Sequence, residues 1–235
     1  MTEESGEQIS GEEEALLRVA TIARELAETD SLDSTLQKVV DLAEGYIEHC
    51  RGATLMMTQR DRIITPASTS RRAMLADHAQ YATGEGPCLT AMRSHETIVM
   101  DHIDADERWP DWQRKISELG WRSMIGLRLF IAEDTLGALN LYAEEANGFD
   151  RHSQALAQVF ASHAAVAMKA AISDAGLQRA LESRDIIGQA KGVLMEREHL
   201  SGQQAFDRLR RLSNDRNVKL RDIAQDIAES GEVPA

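Results

Sequence analysis

The stretch WRSMIGLRLFIAEDTLGALNLYAEE, residues 121–145, decides the fold class of this chain. It contains two long β-prone runs joined at Glu133–Asp134, which predicts an antiparallel pair of strands. The runs ATLMMTQ (53–59) and RIITPAS (62–68) predict a hairpin further upstream, and TIVM (97–100) predicts another strand. Because helical patterns precede and follow these strands, we expect an α+β sandwich with a central antiparallel sheet.

From about residue 150 to His199 the sequence predicts one long helix. Its apolar residues recur at three- and four-residue steps, which is the period of an amphipathic helix. They are Leu156, Val159, Phe160, His163, Val166, Ala170, Leu177 and Leu181. A stripe of this length exceeds what one small domain needs, so we expect a homodimer formed through helix 150–185.

The segment after the long helix has the signals of two short helices. Ser201 with Gln204 predicts a capping box, and Asn217 predicts a left-handed stop before VKLRDIAQDIAES (218–230). We therefore divide the chain into a disordered terminus (1–9), a sandwich domain with an N-terminal helix (10–173) and an all-α three-helix domain (174–235). The helix that begins at about residue 150 leads into this last domain.

Charge is distributed unevenly along the 235 residues. The formal net charge is −13, yet residues 202–221 carry six basic against two acidic side chains, a balance of +4. A basic segment on an acidic protein indicates a polyanionic partner for that segment. The polar, acidic N-terminus is unlike a signal peptide, and no run of eighteen apolar residues predicts a membrane span. We expect a cytoplasmic protein with no membrane contact.

The long helix contains an unusual strip within GQAKGVLM (188–195). Gly188 and Gly192 lie four residues apart, and each costs about 1 kcal/mol in a helix interior relative to alanine. Lys191 and Met195 share the face of Gly188, which suits contact with a phosphate or a splayed loop base. Tight packing between helices, with Lys191 only solvated, remains the alternative from spacing alone.

Two stretches resemble known families. The tail RDIIGQAKGVLMEREHLSGQQAFDRLRRLSNDRNVKLRDIA is similar to the ANTAR domain over about residues 175–230. The signals GEGPCLTAMRSHE, DERWPDW, GWRSMIGLRLF and LGALNLYAEEANGF in residues 30–173 resemble a GAF domain. The chain thus resembles the GAF–ANTAR regulators of actinobacteria.

The resemblance implies an RNA-binding transcription antitermination regulator whose GAF domain senses a signal and controls ANTAR binding to leader hairpins. It also implies a dimer. Lys191 falls on the recurrent lysine of the AKG motif, and Arg210 falls on the arginine of an LR pair, so both become candidate RNA-binding residues. Further candidates are Arg208, Arg216, Lys219, Gly188 and Met195, whereas Val218 stands where the family often has a base.

The residues indicate no enzyme. Walker, GxSxG and HExxH patterns are absent, and the acidic loop DHIDADER (101–108) lacks the EF-hand spacing. We therefore expect no catalytic residue, metal or identified cofactor, with an unknown small-molecule ligand of the GAF domain left open. Cys88, near a helix start, is a candidate redox residue, although a buried structural thiol is the competing interpretation. A small-molecule sensor that acts by protein–protein contact, with the tail as a dimerisation element, is the alternative function.

Overall fold

The computed structural model describes residues 11–59, 62–94 and 96–233. The predicted disordered terminus and the predicted turn at residues 60–61 lie outside these ranges. The chain forms two compact units, one that ends at Ile172 and one that begins at Ser173.

The first unit combines five strands with helices on both sides of them. Its helices are α1 (Gly11–Ala27), α2 (Leu32–Tyr46), α3 (Arg71–Thr83), α4 (Pro87–Ser94) and α5 (Pro110–Glu118), followed by the first part of α6 (Arg151–Glu198). Its strands are β1 (Gly52–Gln59), β2 (Arg62–Ser68), β3 (Ile98–Met100), β4 (Ser123–Ile131) and β5 (Asp134–Ala143). A 3₁₀ turn spans Ile103–Ala105.

The strands form one sheet in the order β2-β1-β5-β4-β3, and every neighbouring pair is antiparallel. The predicted α+β class and central antiparallel sheet are confirmed. The turn between β4 and β5 lies one residue earlier than predicted, because Ile131 already pairs with Asp134. Ala132 therefore takes the positive φ of 50° that a two-residue hairpin requires.

Alternating residues of the strands build two cores, one on each face of the sheet. Leu139 and Leu141 of β5 point into a core that α1, α2 and α6 cover. Ala138 and Tyr142 of the same strand point to the opposite face, where α3, α4 and α5 lie. This alternation is the two-residue period of a strand, and it leaves both faces of the central strands dry.

Helix α6 is 48 residues long. The sequence predicts that its apolar residues form a single stripe along it. The structure divides that stripe, since Leu156 and Phe160 are buried in the core of the first unit while Val159 and Val166 are exposed. Among the described residues α6 is also the one helix long and apolar enough to cross a membrane. Its packing against the sheet is that of a core helix in a globular domain.

The second unit contains the end of α6, α7 (Gly202–Arg216) and α8 (Leu220–Ser230) around one small core. The predicted capping box is confirmed, because Ser201 accepts from the backbone N–H of Gln204 and the Gln204 side chain accepts from the Ser201 N–H. The predicted left-handed stop is confirmed at Asn217, with φ 52°. The buried core residues are Ala190, Leu194, Ala205, Leu209, Leu212, Ile223, Ala224 and Ile227.

The close approach of β1 and β5 gives a test of this sheet. A Cβ added at Gly137 would lie 2.1 Å from the carbonyl oxygen of Met56, so neighbouring backbone must move. We expect Gly137→Ala to lower the free energy of unfolding by about 3 kcal/mol, the upper range for overpacking. Gly176→Ala is the control, because that helical position is open, and we expect a gain of up to about 1 kcal/mol. Equal midpoints of thermal unfolding for the two variants would contradict the register of β5.

Candidate functional site

Two of the candidate RNA-binding residues of α6, Lys191 and Met195, lie beside the first residue of α7. A Cβ placed at Gly202 would lie 3.8 Å from both the Lys191 Nζ and the Met195 Sδ. Lys191 is half-buried and Met195 is exposed. The end of the Lys191 side chain, its Cε and Nζ, therefore lies beside the first residue of α7.

The two glycines of the strip face open space. No described atom outside the local helix backbone lies within 4 Å of a Cβ placed at Gly188 or Gly192. Tight packing between helices of this chain therefore does not explain them. They leave a smooth, exposed patch of backbone beside Lys191 that another molecule can approach closely.

The arginines of α7 lie in different environments. The Arg208 Nε is 3.5 Å from the Glu198 Oε1, and only 27% of the Arg208 side chain is exposed. Arg210 is exposed. Because it follows Arg208 by two residues, its side chain leaves the helix about 160° away from that of Arg208. Arg211 is also exposed, and its Nε donates to the Asp207 carbonyl at 3.4 Å. Arg208 and Arg210 therefore cannot contact one ligand surface together.

Arg216 and Lys219 flank the turn between α7 and α8. Arg216 is the last residue of α7, Lys219 is the N-cap of α8, and both are exposed. The turn is fixed by two bonds, since the Ser213 hydroxyl donates to the Val218 carbonyl at 2.6 Å and the Val218 N–H donates to the Ser213 carbonyl at 3.1 Å. The exposed Val218 sits between the two bases.

The first unit holds a second chemically notable group, of which the sequence analysis named only Cys88. We call it the interior polar cluster: Thr54, Asp77, Gln80, Cys88, Asn140 and Tyr142, all completely buried. The Asp77 Oδ1 accepts from the Asn140 Nδ2 at 2.9 Å and from the Tyr142 hydroxyl at 3.0 Å. The Oδ2 accepts from Thr65 at 2.9 Å. In these described hydrogen bonds, the Asp77 carboxylate therefore accepts from neutral donors only.

Cys88 and Gln80 extend the cluster towards α4. The Cys88 thiol donates to the Asn140 Oδ1 at 2.6 Å, and the Cys88 N–H donates to the Gln80 Oε1 at 3.0 Å. The Gln80 Nε2 is buried and has no hydrogen-bond partner among the described residues. A buried unpaired donor costs about 1–3 kcal/mol.

Burial controls the ionisation of this cluster. It raises the pKa of Asp77 from 3.8 to about 6, although the hydrogen bonds to the carboxylate act in the opposite direction. Burial, with the nearby charge of Asp77, raises the pKa of Cys88 well above its usual value. Burial likewise raises the pKa of Cys50 to about 12. Both thiols are therefore protonated at neutral pH, and neither side chain is exposed to solvent.

The acidic loop at residues 101–108 is held by ion pairs. Asp106 binds Arg108, and Asp104 accepts from Ser117 and lies 3.6 Å from Arg122. In the ranges that the structure describes, no three His, Cys, Asp or Glu side chains converge where they could hold a metal ion.

Comparison with protein families assigns both units. A model described as a GAF domain matches residues 29–169, and a model described as an ANTAR domain matches residues 175–227. The chain belongs to the GAF family and carries an ANTAR domain. It is a GAF–ANTAR regulator, which joins a sensing domain to an RNA-binding domain.

Solved structures agree on the fold of the GAF domain. A GAF domain of a phosphoenolpyruvate-protein phosphotransferase from Coxiella burnetii has a TM-score of 0.56 and 16% identity, over 71% of this chain and 99% of that one. A putative GAF sensor protein from Burkholderia vietnamiensis has a TM-score of 0.53 and 14% identity, over 74% and 99%. The free methionine-R-sulfoxide reductase of Neisseria meningitidis, solved with its substrate, has a TM-score of 0.53 and 15% identity, over 71% and 97%. Comparison with curated proteins gives no significant match.

The pKa of Asp77 predicts how the stability of the GAF domain depends on pH. Between 3.8 and about 6 the native state keeps a proton that the unfolded chain has released, so the free energy of unfolding falls as pH rises. We expect Asp77→Asn to remove this contribution. Relative to wild type, its stability should rise by about 2 kcal/mol from pH 4 to pH 7, measured by urea unfolding.

Glu118→Gln provides the control for that measurement, because it removes a carboxylate from the exposed face of α5. Its unfolding free energy should track the wild type across the pH range. Parallel pH profiles for Asp77→Asn and wild type would show that the buried carboxylate does not titrate in this window.

The burial of Cys50 and Cys88 predicts their reactivity. Native protein should show no thiol that reacts rapidly with Ellman's reagent, and guanidinium-unfolded protein should show two. A native thiol that reacts within the mixing time would instead indicate an accessible thiolate and would favour the redox hypothesis for Cys88.

Proposed function

We propose that the chain is a dimeric regulator of transcription antitermination that acts in the cytoplasm and has no catalytic activity. In this proposal the GAF domain senses a signal and thereby controls binding of the ANTAR domain to hairpin-containing leader RNA. The observation that carries it is the basic segment 202–221, with a balance of +4 on a chain of −13, within a domain of an RNA-binding family.

The RNA surface that we propose centres on Lys191. Its ammonium contacts a backbone phosphate, while Gly188 and Met195 give a loop base a flat surface on which to lie. Arg210 supplies a second cationic contact from α7. Such contacts determine affinity and make it depend on salt, because each neutralised phosphate releases counterions.

Arg216, Lys219 and Arg208 have lesser roles in this proposal. The first two flank the turn before α8 and are placed to clamp the phosphates of one strand. Arg208 contributes to the electrostatic field of the domain, because its guanidinium already lies beside Glu198. Val218 between Arg216 and Lys219 narrows the basic surface at this edge.

The signal that reaches the GAF domain acts, in this proposal, through its α3–α4 face. The unpaired Gln80 Nε2 supports a ligand that brings a hydrogen-bond acceptor into the interior polar cluster. Such a ligand can shift the regulator only by binding one of its two states more tightly. No cofactor or metal is required for this step.

A second candidate function is a sensor that acts by protein–protein contact, with the tail serving only for dimerisation. The exposed apolar residues of α6 favour it, since Val166 and Leu177 are more than half exposed. The two functions make different demands on charge, because the basic residues of α7 are needed for binding only when the partner is RNA.

Binding to RNA over a salt series tests the proposal. We expect the full-length protein to bind a labelled RNA of two linked hairpins with an affinity that falls steeply with salt. The double variant Lys191→Ala, Arg210→Ala should bind about tenfold or more weakly. Its slope of log K against log salt should be shallower by about 1.4–1.8, the value for two lost phosphate contacts.

The control is Arg179→Ala, which removes one exposed positive charge from α6 outside the proposed surface. It should bind RNA like the wild type, and circular dichroism should show that all variants fold. An equal loss in the control, or the absence of salt-dependent binding by the wild type, would contradict the RNA surface and favour the second function.

A further inference from the structure

One carboxylate lies on the face of α6 that carries the proposed RNA contacts. Lys191, Met195 and Glu198 follow one another at steps of four and three residues, so their side chains leave the helix within about 60° of one another. Glu198 is the last residue of α6, and 32% of its side chain is exposed. An accessible acidic group therefore borders a surface that otherwise offers an ammonium group and a thioether.

The Glu198 carboxylate favours neither the stability of the helix nor the attraction of phosphate. The last turn of a helix is its negative end, where an acidic side chain is electrostatically unfavourable. The same charge repels the phosphates of RNA. What Glu198 can supply instead is hydrogen-bond acceptance, because a carboxylate has about four lone-pair sites on its two oxygens and no donor.

Arg208 holds this carboxylate at the junction of α6 and α7. The Arg208 Nε lies 3.5 Å from the Glu198 Oε1, and 27% of the Arg208 side chain is exposed. The guanidinium charge offsets the carboxylate charge locally, which lowers the repulsion of an approaching phosphate. The contact at Oε1 uses only part of the acceptor capacity, so the carboxylate can accept a further hydrogen bond from a bound molecule.

The bases of an RNA loop supply the matching donors. Adenine, cytosine and guanine each carry an exocyclic amino group, whereas uracil has none and presents carbonyl oxygens, which a carboxylate repels. Glutamate accepts from the cytosine amino group in contacts with nucleic acids, and unpaired loop bases expose such edges. Lys191 lies seven residues from Glu198, about 10 Å along the helix. One loop can therefore place a phosphate at Lys191 and a base edge at Glu198.

We propose that Glu198 is a specificity-determining residue of the ANTAR domain, which accepts a hydrogen bond from the exocyclic amino group of a loop base. Arg208 is the positioning residue, which orients the carboxylate and offsets its charge. This inference rests on the proposed function and deepens it, because it adds recognition of a base to the phosphate contacts of Lys191 and Arg210. Its consequence is that the domain excludes uracil at one position of the loop.

Binding of the full-length protein to a pool of RNA sequences tests this proposal. The pool consists of two linked hairpins with randomised loops, and sequencing of the bound RNA gives the base preference at each loop position. The wild type should discriminate against uracil at one position by about tenfold, the effect of one hydrogen bond to a charged group. Glu198→Gln should largely abolish this discrimination, because an amide can also donate to a uracil carbonyl.

Glu196→Gln is the matched control, because it removes the same charge from an exposed residue of α6 that points about 160° away from Glu198. Both variants should bind the pool more tightly at low salt, since each removes a charge that repels phosphate. Only Glu198→Gln should change the base preference. Circular dichroism checks that both variants fold.

Arg208→Ala tests the positioning role. It should lower the discrimination against uracil at the same loop position, whereas removal of the exposed Arg211 by Arg211→Ala should leave the preference unchanged. A wild-type profile that tolerates uracil at every position, or equal profiles for Glu198→Gln and Glu196→Gln, would overturn the role of Glu198 while the RNA-binding function stands. Failure of the wild type to bind any RNA of the pool would overturn the proposed function itself and this inference with it.

Discussion

Burial of one face of α6 against the sheet is the contact on which the organisation of the chain depends. Phe160 and Met168 complete the core that α1 and α2 share, and this fixes the rotation of the helix about its axis. The opposite face must then lie outside that core, which is why Val159 and Val166 are exposed. The sequence analysis assigned the apolar residues of both faces to a single dimer interface. Val159 and Phe160 show why this assignment needs division, because they are adjacent in sequence but point about 100° apart around the helix.

The GAF domain differs on its two faces. The face towards α1, α2 and α6 is filled with aliphatic side chains, whereas the face towards α3, α4 and α5 contains the interior polar cluster. An ionised carboxylate in a dry interior, bound by neutral donors, stabilises the native state less than a protonated one would. The α3–α4 face therefore contains a buried group whose free energy responds to a bound proton.

Local chemistry made much of the fold predictable from the sequence. The strand pairs, the capping box at Ser201 and the left-handed stop at Asn217 each depend on neighbours a few residues away, and all are confirmed. Helix α3 was missed because the face it buries consists mainly of alanines with Asp77 and Gln80, so it has no large apolar period. The ion pair between Arg208 and Glu198 could not be predicted either, since it joins two helices across a turn whose geometry only the structure supplies.

Gly188 and Gly192 affect both the stability of the ANTAR domain and the shape of its surface. Each costs about 1 kcal/mol relative to alanine, and an alanine at either position would meet no other described part of the chain within 4 Å. Packing inside the described chain therefore does not offset this cost. What the glycines change is the outer surface of α6, which lacks a side chain at two positions one turn apart beside Lys191. A helix with this lower intrinsic stability has a surface that another backbone or base can approach closely, which is the use that the proposed RNA surface makes of it.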